Sequence, residues 1–282
     1  MNTKKLIAAT PTPGTRASLE AELRSLGVGQ GDLLLVHSSL SALGWVSGGA
    51  MAVLQALRDA LGPEGTLVMP THCPEGGDPA HWSQPPVPPD WVEQIRAHRP
   101  AFDPTRTPSR QMGAIPELFR TWPGVRRSLH PVGSFAAEGP LAETVTALHD
   151  LSEMLGERSP LGALYRHDAR VLLLGVGHGA NTSLHLGEFR AHWTGKPTIQ
   201  EGSRLLVNGE SRWVAYDMLQ WNDGDFPALG AAFEETHPFS VGPVGTGTAR
   251  LFSQRALVDF ASRWISENRG PAAPSPEAPR RS

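Results

Sequence analysis

Leu19, Leu23 and Leu26 recur at the spacing of one helical face. With Thr15 able to cap that helix and Gly27 able to stop it, residues 15–27 predict a short amphipathic helix. The period then collapses: residues 32–37 form an almost unbroken apolar run of strand length, as expected of a strand covered on both faces. A loop rich in small hydroxyl side chains occupies residues 38–49. Residues 50–61 return to helical spacing, with Leu54, Leu57 and Leu61 facing inward, and residues 65–70 give the next apolar strand.

Between residues 73 and 108 proline recurs too often for a regular sheet, and with Trp82 and Trp91 this stretch predicts an ordered flap over the domain. Helices are expected over residues 110–122, 141–149, 160–165, 181–193, 226–235 and 253–266. A short strand is expected at 134–137, and the strongest strand at 170–176. Residues 204–207 and 212–216 flank Asn208-Gly209, a dipeptide that favours a two-residue hairpin turn. The predicted fold is therefore α/β, a central mixed β-sheet covered by helices on both faces, with a Pro-rich flap and a β-hairpin insertion. One domain is expected over 15–269, between a flexible N-terminus (1–14) and a disordered tail (270–282) in which Pro, Ala, Ser and charge alternate without apolar periodicity.

Composition narrows the partners. With 39% hydrophobic and 19% charged residues, the chain is neither disordered nor fibrous. A formal net charge of -3, without any Lys or Arg run, argues against nucleic acid. No stretch approaches the roughly 18 apolar residues of a membrane span. Cys73 is the single cysteine and residues 1–14 lack the apolar core of a secretory signal, so cytoplasmic residence is expected.

Candidate chemistry gathers at three places. Gly48 and Gly49 open a helix after Ser38, Ser39, Ser41 and Ser47, so unobstructed backbone amides and the helix dipole can attract an anion such as the diphosphate of coenzyme A; an ordinary strand-to-helix turn fits the same residues. Thr107, Pro108 and Ser109, with Met112 and Gly113, stand at a second helix start beside Arg106 and Arg110. Asn181, His185 and Glu188, at i, i+4 and i+7, share one helical face, and a row of amide, imidazole and carboxylate suits acid-base work; a solvated helix face is the competing reading. A reaction in which an amine attacks would need such a base, because an ammonium ion is not a nucleophile. Thr71, after the second strand, is the candidate donor for the negative charge that develops on an attacked thioester carbonyl, with the amides of residues 39–43 assisting.

Other classes fit less well. Residues 175–180 formally match the dinucleotide fingerprint, but Glu201, the one acid near the required spacing, follows Pro197 with no clear second strand. His178, His185 and His192 recur every seven residues without cysteine ligands, so no metal is expected. A serine hydrolase lacks its G-x-S-x-G elbow, and a non-catalytic binder of the same fold stays open.

Five segments, in order, resemble the aminoglycoside 3-N-acetyltransferase family. They are Leu35-Val36-His37-Ser38-Ser39-Leu40-Ser41 with Leu43-Gly44 and Gly48-Gly49; Gly65-Thr66-Leu67-Val68-Met69-Pro70-Thr71; Phe102-Asp103-Pro104 through Thr107-Pro108 to Met112-Gly113; Arg127-Ser128-Leu129-His130-Pro131 with Ser134-Phe135-Ala136-Ala137; and Leu172-Leu173-Leu174-Gly175-Val176-Gly177-His178 through Asn181-Thr182-Ser183-Leu184-His185-Leu186-Gly187-Glu188. The resemblance implies direct acetyl transfer from acetyl-coenzyme A to the 3-amino group of an aminoglycoside. It places His37, Ser38, Ser39, Leu40, Ser41, Leu43, Gly44, Val46, Gly48 and Gly49 at the cofactor, together with Thr107, Pro108, Ser109, Met112 and Gly113. It makes His185 the base, with Glu188 assisting it or holding a substrate amine. A polycationic substrate points to His72, Asp78, Trp82, His178, Asp217 and Asp223 as contacts. Gly179 stands where a polar or acidic residue is expected, so a different small-molecule amine is the alternative substrate; the oligomeric state does not follow from the sequence.

Overall fold

Residues 3–270 are described by the computed structural model. The chain forms α1 (Thr3–Ala8), α2 (Arg16–Leu26), β1 (Leu33–Ser38), α3 (Gly49–Leu61), β2 (Thr66–Pro70), α4 (Val92–His98), α5 (Ala114–Arg120), β3 (Arg126–Arg127) and β4 (Phe135–Glu138). It continues with α6 (Ala142–Thr146), α7 (Pro160–Arg166), β5 (Arg170–Leu174), α8 (Ser183–Arg190), β6 (Thr198–Val207), β7 (Glu210–Leu219), α9 (Phe226–Thr236), β8 (Ser240–Val244), β9 (Gly247–Ser253) and α10 (Gln254–Asn268). Of the tail expected over 270–282, all but Gly270 lies outside the described residues. Before α2, Thr10 Oγ1 accepts the Trp45 amide at 2.8 Å and Gly14 bridges to Val46, while α1 buries none of its residues.

Seven strands make one sheet in the order β3-β4-β2-β1-β5-β9-β8. β1 runs parallel to both neighbours, and every other pairing in the sheet is antiparallel. Alternation across the pleat divides the core in two. Leu33, Leu35, Val68, Val171 and Leu173 join the cluster beneath α7 to α10, whereas Leu34, Val36, Leu67, Leu172 and Leu174 join the cluster beneath α2 and α3. The expected mixed sheet with helices on both faces is thus the architecture found. β6 and β7 form a separate hairpin, and no described helix is long and apolar enough to cross a membrane.

Several boundaries differ from expectation. The hairpin around Asn208-Gly209 is ten residues long on each side, because alternation continues well beyond the apolar centre; both turn residues have positive φ (53° and 81°), as that turn requires. The helix expected over 110–122 begins only after Gly113, whose φ of 89° no helix accepts, and that expected over 141–149 stops at Thr146. The helix expected over 181–193 is shorter at both ends, since Asn181 is extended and Ala191 leaves the helix. β3, β8 and β9 carry no clear apolar pattern: β3 has two residues, and Gly242 and Pro243 interrupt β8 at the sheet edge. The Pro-rich flap contains three short 3-10 turns and α4, and it rests on the hairpin: Phe102 N donates to the Arg204 carbonyl at 2.9 Å, and Arg96 and Arg99 lie over the Trp213 ring.

α8 carries the candidate base, and it sits directly on α10 because Gly187 has no side chain. A Cβ there would lie 2.5 Å from that of Ala261 and 3.1 Å from the Val258 carbonyl oxygen. Gly187→Val is therefore expected to destabilise the fold by about 1–3 kcal/mol or more, the ordinary cost of overpacking. A thermal unfolding midpoint equal to that of the parent protein would refute this account of the helix contact.

Candidate active site

Parallel β1, β2 and β5 end on the same side of the sheet, and the chain leaves β1 toward β2 on one flank while β5 lies on the other. A crevice is expected at the carboxyl ends of such strands. His37 and Ser38 end β1, Thr71 and His72 follow β2, and the segment after β5 leads into α8. The Thr182 hydroxyl, at the start of α8, lies 3.3 Å from His37 Nε2 and ties the last of these segments to the first.

On α8, His185 and Glu188 are one turn apart and buried, with Nδ1 2.8 Å from Oε2. Facing a carboxylate, Nδ1 carries the proton, which leaves Nε2 with its lone pair and no protein partner among the described residues. Glu188 Oε1 accepts the Asn222 amide at 2.8 Å and Arg269 Nη1 at 2.5 Å. Lys196 caps the end of α8, donating to the carbonyls of Glu188, Phe189 and Ala191 at 2.9, 2.6 and 3.0 Å. Phe226 and Trp221 pack against the imidazole with ring centroids 4.6 and 5.5 Å away. A buried imidazole oriented by a fully hydrogen-bonded carboxylate is equipped to take a proton through Nε2.

Burial lowers the His37 imidazole to about 3, helped by the nearby His185 ring. Burial likewise lowers His72 to about 3, with His37, His185, His130 and Arg127 adding to the effect. Two neutral rings thus flank the pair at neutral pH. His72 Nε2, Ser38 Oγ and Ser183 Oγ are buried without any hydrogen-bond partner. Each of the three segments that meet here thus carries a buried polar atom without a partner among the described residues.

Other expected site residues lie elsewhere or are already engaged. Thr71 is wholly buried; its hydroxyl bonds the Ser134 carbonyl at 3.2 Å and accepts Arg127 Nε at 3.1 Å, so it fixes the end of β2 and does not serve as a free donor. Asn181 does not share the His185 face: its Oδ1 caps Ser183 N at 3.2 Å, and its Nδ2 is 3.4 Å from His178 Nδ1. His178 is buried against Gly230, its Nε2 3.0 Å from Glu234, which also pairs with Arg250. Asp78 is committed to Arg96 and to the Ala80 amide, and Trp82 lies within the flap beside Arg99. Asp217 on β7 and Asp223 are exposed, and the loop bearing Asp223 is the one that holds Trp221 and Asn222 against the His185–Glu188 pair.

At the glycine-flanked start of α3 the Gly49 amide is taken, donating to the Val46 carbonyl at 3.0 Å, so the amides of the following turn are the ones left for an anion. Gly48 adopts φ 88° with no side-chain cap, and a Cβ on Gly49 would meet nothing within 4 Å. Ser39 and Ser41 hold their hydroxyls 3.3 Å apart in this loop, with Leu40 partly buried beneath. Leu43, Gly44 and Val46 instead face inward, Gly44 so tightly that a Cβ would lie 2.7 Å from Thr246. At the second helix start, Gly113 also borders open space, near Pro108 and the half-buried Met112. Ser109 is engaged with Glu117 at 2.6 Å, and Thr107 Oγ1 accepts the Asp103 amide at 3.0 Å. Arg127 joins this segment to β2, donating to the carbonyls of Thr107 and Thr71. A concavity of about 890 Å³ lies near the start of β2, among surface ion pairs such as Arg16–Asp59 and Arg58–Glu138.

Arg269, Asn222, Lys196 and Trp221 are site residues that the sequence did not single out. Arg269 stands 81 positions from Glu188, and no local pattern announces such a contact.

Protonation of the two neutral rings opposes folding. An unfolded histidine titrates near ~6.5, whereas His37 and His72 do so at about 3 in the fold. The unfolded chain therefore binds more protons between these values, and stability falls as pH drops from ~6.5 toward about 3. The unfolding midpoint is expected to decline already between pH ~6.5 and ~5, before most carboxylates titrate, and His37→Gln to decline less. Equal slopes for the two proteins would contradict this assignment.

Comparison with known proteins agrees with the geometry. The family model described as aminoglycoside 3-N-acetyltransferase matches residues 35–266. The chain is 44% identical over 266 residues to YokD of Bacillus subtilis (strain 168), an SPbeta prophage-derived aminoglycoside N(3')-acetyltransferase-like protein, covering 94% of this chain and 97% of that one. The YokD crystal structure superposes with a TM-score of 0.92, covering 94% and 98% of the two chains. The structure of AAC-IIIb in binary complex with CoASH is 29% identical, with a TM-score of 0.82 over 93% of this chain and 100% of that one. AAC-VIa bound to sisomicin is 30% identical, with a TM-score of 0.82 over 91% and 98%. The chain belongs to the aminoglycoside 3-N-acetyltransferase family.

Proposed function

We propose that the protein moves an acetyl group directly from acetyl-coenzyme A to the 3-amino group of an aminoglycoside, with His185 as general base. The family acetylates aminoglycosides from acetyl-coenzyme A, and the related AAC-IIIb and AAC-VIa structures hold CoASH and sisomicin. One observation carries the mechanistic part: a buried imidazole whose Nδ1 is held by Glu188 and whose Nε2 has no partner among the described residues.

When bound, acetyl-coenzyme A supplies a thioester whose carbonyl carbon is the electrophile. The residues that would hold it are the first-turn amides of α3 that follow Gly49, the Ser38, Ser39 and Ser41 loop, and the open edge at Gly113; the free volume above Gly49 fits such a ligand. As the amine nitrogen bonds to the acetyl carbon and the C–S bond breaks, His185 Nε2 takes the amine proton and can pass it to the departing sulfur, which leaves as coenzyme A thiol; Glu188 keeps the ring oriented while it carries positive charge. Trp221, 45% exposed beside the imidazole, and the free carboxylate of Asp223 supply an aromatic face and an acid to an ammonium-bearing sugar.

His185→Ala is expected to lower kcat by ~10²–10⁴-fold while leaving the affinity for coenzyme A within a few-fold, since the α3 amides are separate from α8. Thiol release and calorimetric binding measure the two effects, and turnover near the parent level would refute His185 as base. An aminoglycoside panel with NMR mapping of the product is expected to show acetylation at the 3-amino group. Acetylation at another amine only, or of none of the panel, would refute the assigned substrate. Among the described residues no group of three His, Cys, Asp or Glu side chains could hold a metal, and a chelator is expected to leave turnover unchanged.

A further inference from the structure

Arg269 closes α10, remote in sequence from the strands, yet its guanidinium reaches the interior of the site. Nη1 donates to Glu188 Oε1, while Nε and Nη2 grip the two oxygens of Asp225 at 2.8 and 2.7 Å, and Nη2 also meets the Asn222 carbonyl at 2.6 Å. The other Glu188 oxygen faces His185 Nδ1. Imidazole, carboxylate, guanidinium and carboxylate therefore form one hydrogen-bonded line that joins α8, α9 and α10. The Trp193 ring lies 5.4 Å from the guanidinium carbon, and the Arg269 side chain is only 11% exposed. Burial alone would lower the Arg269 pKa, but the bonds to Asp225 and Glu188 outweigh it and raise the value, so this group stays cationic.

Every packed element contributes a charged or titratable group. α8 carries His185 and Glu188, the segment after it Lys196, the start of α9 Asp225, and the end of α10 Arg269; His37 and His72 face His185 from the strand ends. His37 and His72 are neutral at working pH, and Lys196 contacts the Glu188 carbonyl and not its carboxylate. Among the described residues, Arg269 is thus the permanent cation directly on the Glu188 carboxylate.

We propose that Arg269 is a positioning residue for acyl transfer: through the shared Glu188 carboxylate it fixes the His185 ring and weakens the attraction of that carboxylate for an imidazolium, keeping His185 available as a neutral base. A carboxylate bonded to a permanent cation attracts a second one less, and Asp225 moderates the effect by compensating Arg269. The proposal rests on the reading of His185 as general base.

The test pairs a site-resolved titration with kinetics. In Arg269→Gln, the His185 imidazole followed by NMR is expected to hold its proton to higher pH than in the parent protein, and the acid limb of kcat/KM against pH to move with it. Arg269→Lys, which keeps the charge, is expected to restore most of the parent profile, and Asp225→Asn to shift both readouts downward. A purely structural role would lower stability and kcat without moving either midpoint. Unmoved midpoints, or shifts of the same sign in Arg269→Gln and Asp225→Asn, overturn the proposal. Should Arg269→Gln fail to fold, Asp225→Asn decides: a downward shift supports the proposal, and an unmoved or raised midpoint overturns it. A His185 midpoint that moves while the kinetic limb stays fixed upholds the coupling and overturns His185 as the base.

Discussion

A carboxylate with none of its surface exposed survives in a protein only where hydrogen bonds and countercharge replace water. Glu188 meets that condition with His185 on one oxygen and with Arg269 and the Asn222 amide on the other. The rest of the site follows from this demand. α8 must lie where α10 can deliver Arg269, which is why Gly187 faces Ala261; the loop before α9 must turn so that Asn222 N and Asp225 reach the same place. Trp221 is then carried to the imidazole by that loop. The packing of the helical layer and the chemistry of the pair are one constraint.

The sheet supplies the other half. Because β1 is flanked by parallel strands on both sides, their carboxyl ends bring His37, Ser38, His72 and the approach to α8 together without any long excursion. Past β1, residues 39–48, with a 3-10 turn over Leu40–Leu43, carry the chain to the glycine-flanked start of α3. The imidazole proposed to take the amine proton and the amides proposed to meet a phosphate thus belong to different elements and answer to different local requirements. Arg127 ties β2 to the segment around Thr107, so the second glycine-bordered loop is anchored to the same frame.

How legible this was depended on the range of each interaction. α2, α3, β1 and β2 follow from spacing alone, and Asn208-Gly209 fixes the hairpin turn, because each of these signals lies within one element. His185 and Glu188 are legible for the same reason, being one turn apart on one helix. Asn181 has the same residue chemistry but not the helical backbone, and at a helix start its amide bonds the local chain first. Thr71 and His178 are polar residues whose partners, Ser134, Arg127 and Glu234, come from distant parts of the sequence, so their structural roles cannot be seen locally. Arg269 is the extreme case: it lies beside a stretch of tail-like composition, and only the packed fold gives it a purpose.

Direct transfer with His185 as base, as proposed, requires both substrates to be present together when the acetyl group moves. Initial velocities measured over a matrix of acetyl-coenzyme A and aminoglycoside concentrations test it most directly. The account predicts double-reciprocal lines that intersect, as a ternary complex requires; parallel lines, with acetyl retained covalently on the protein when the amine is withheld, would contradict it.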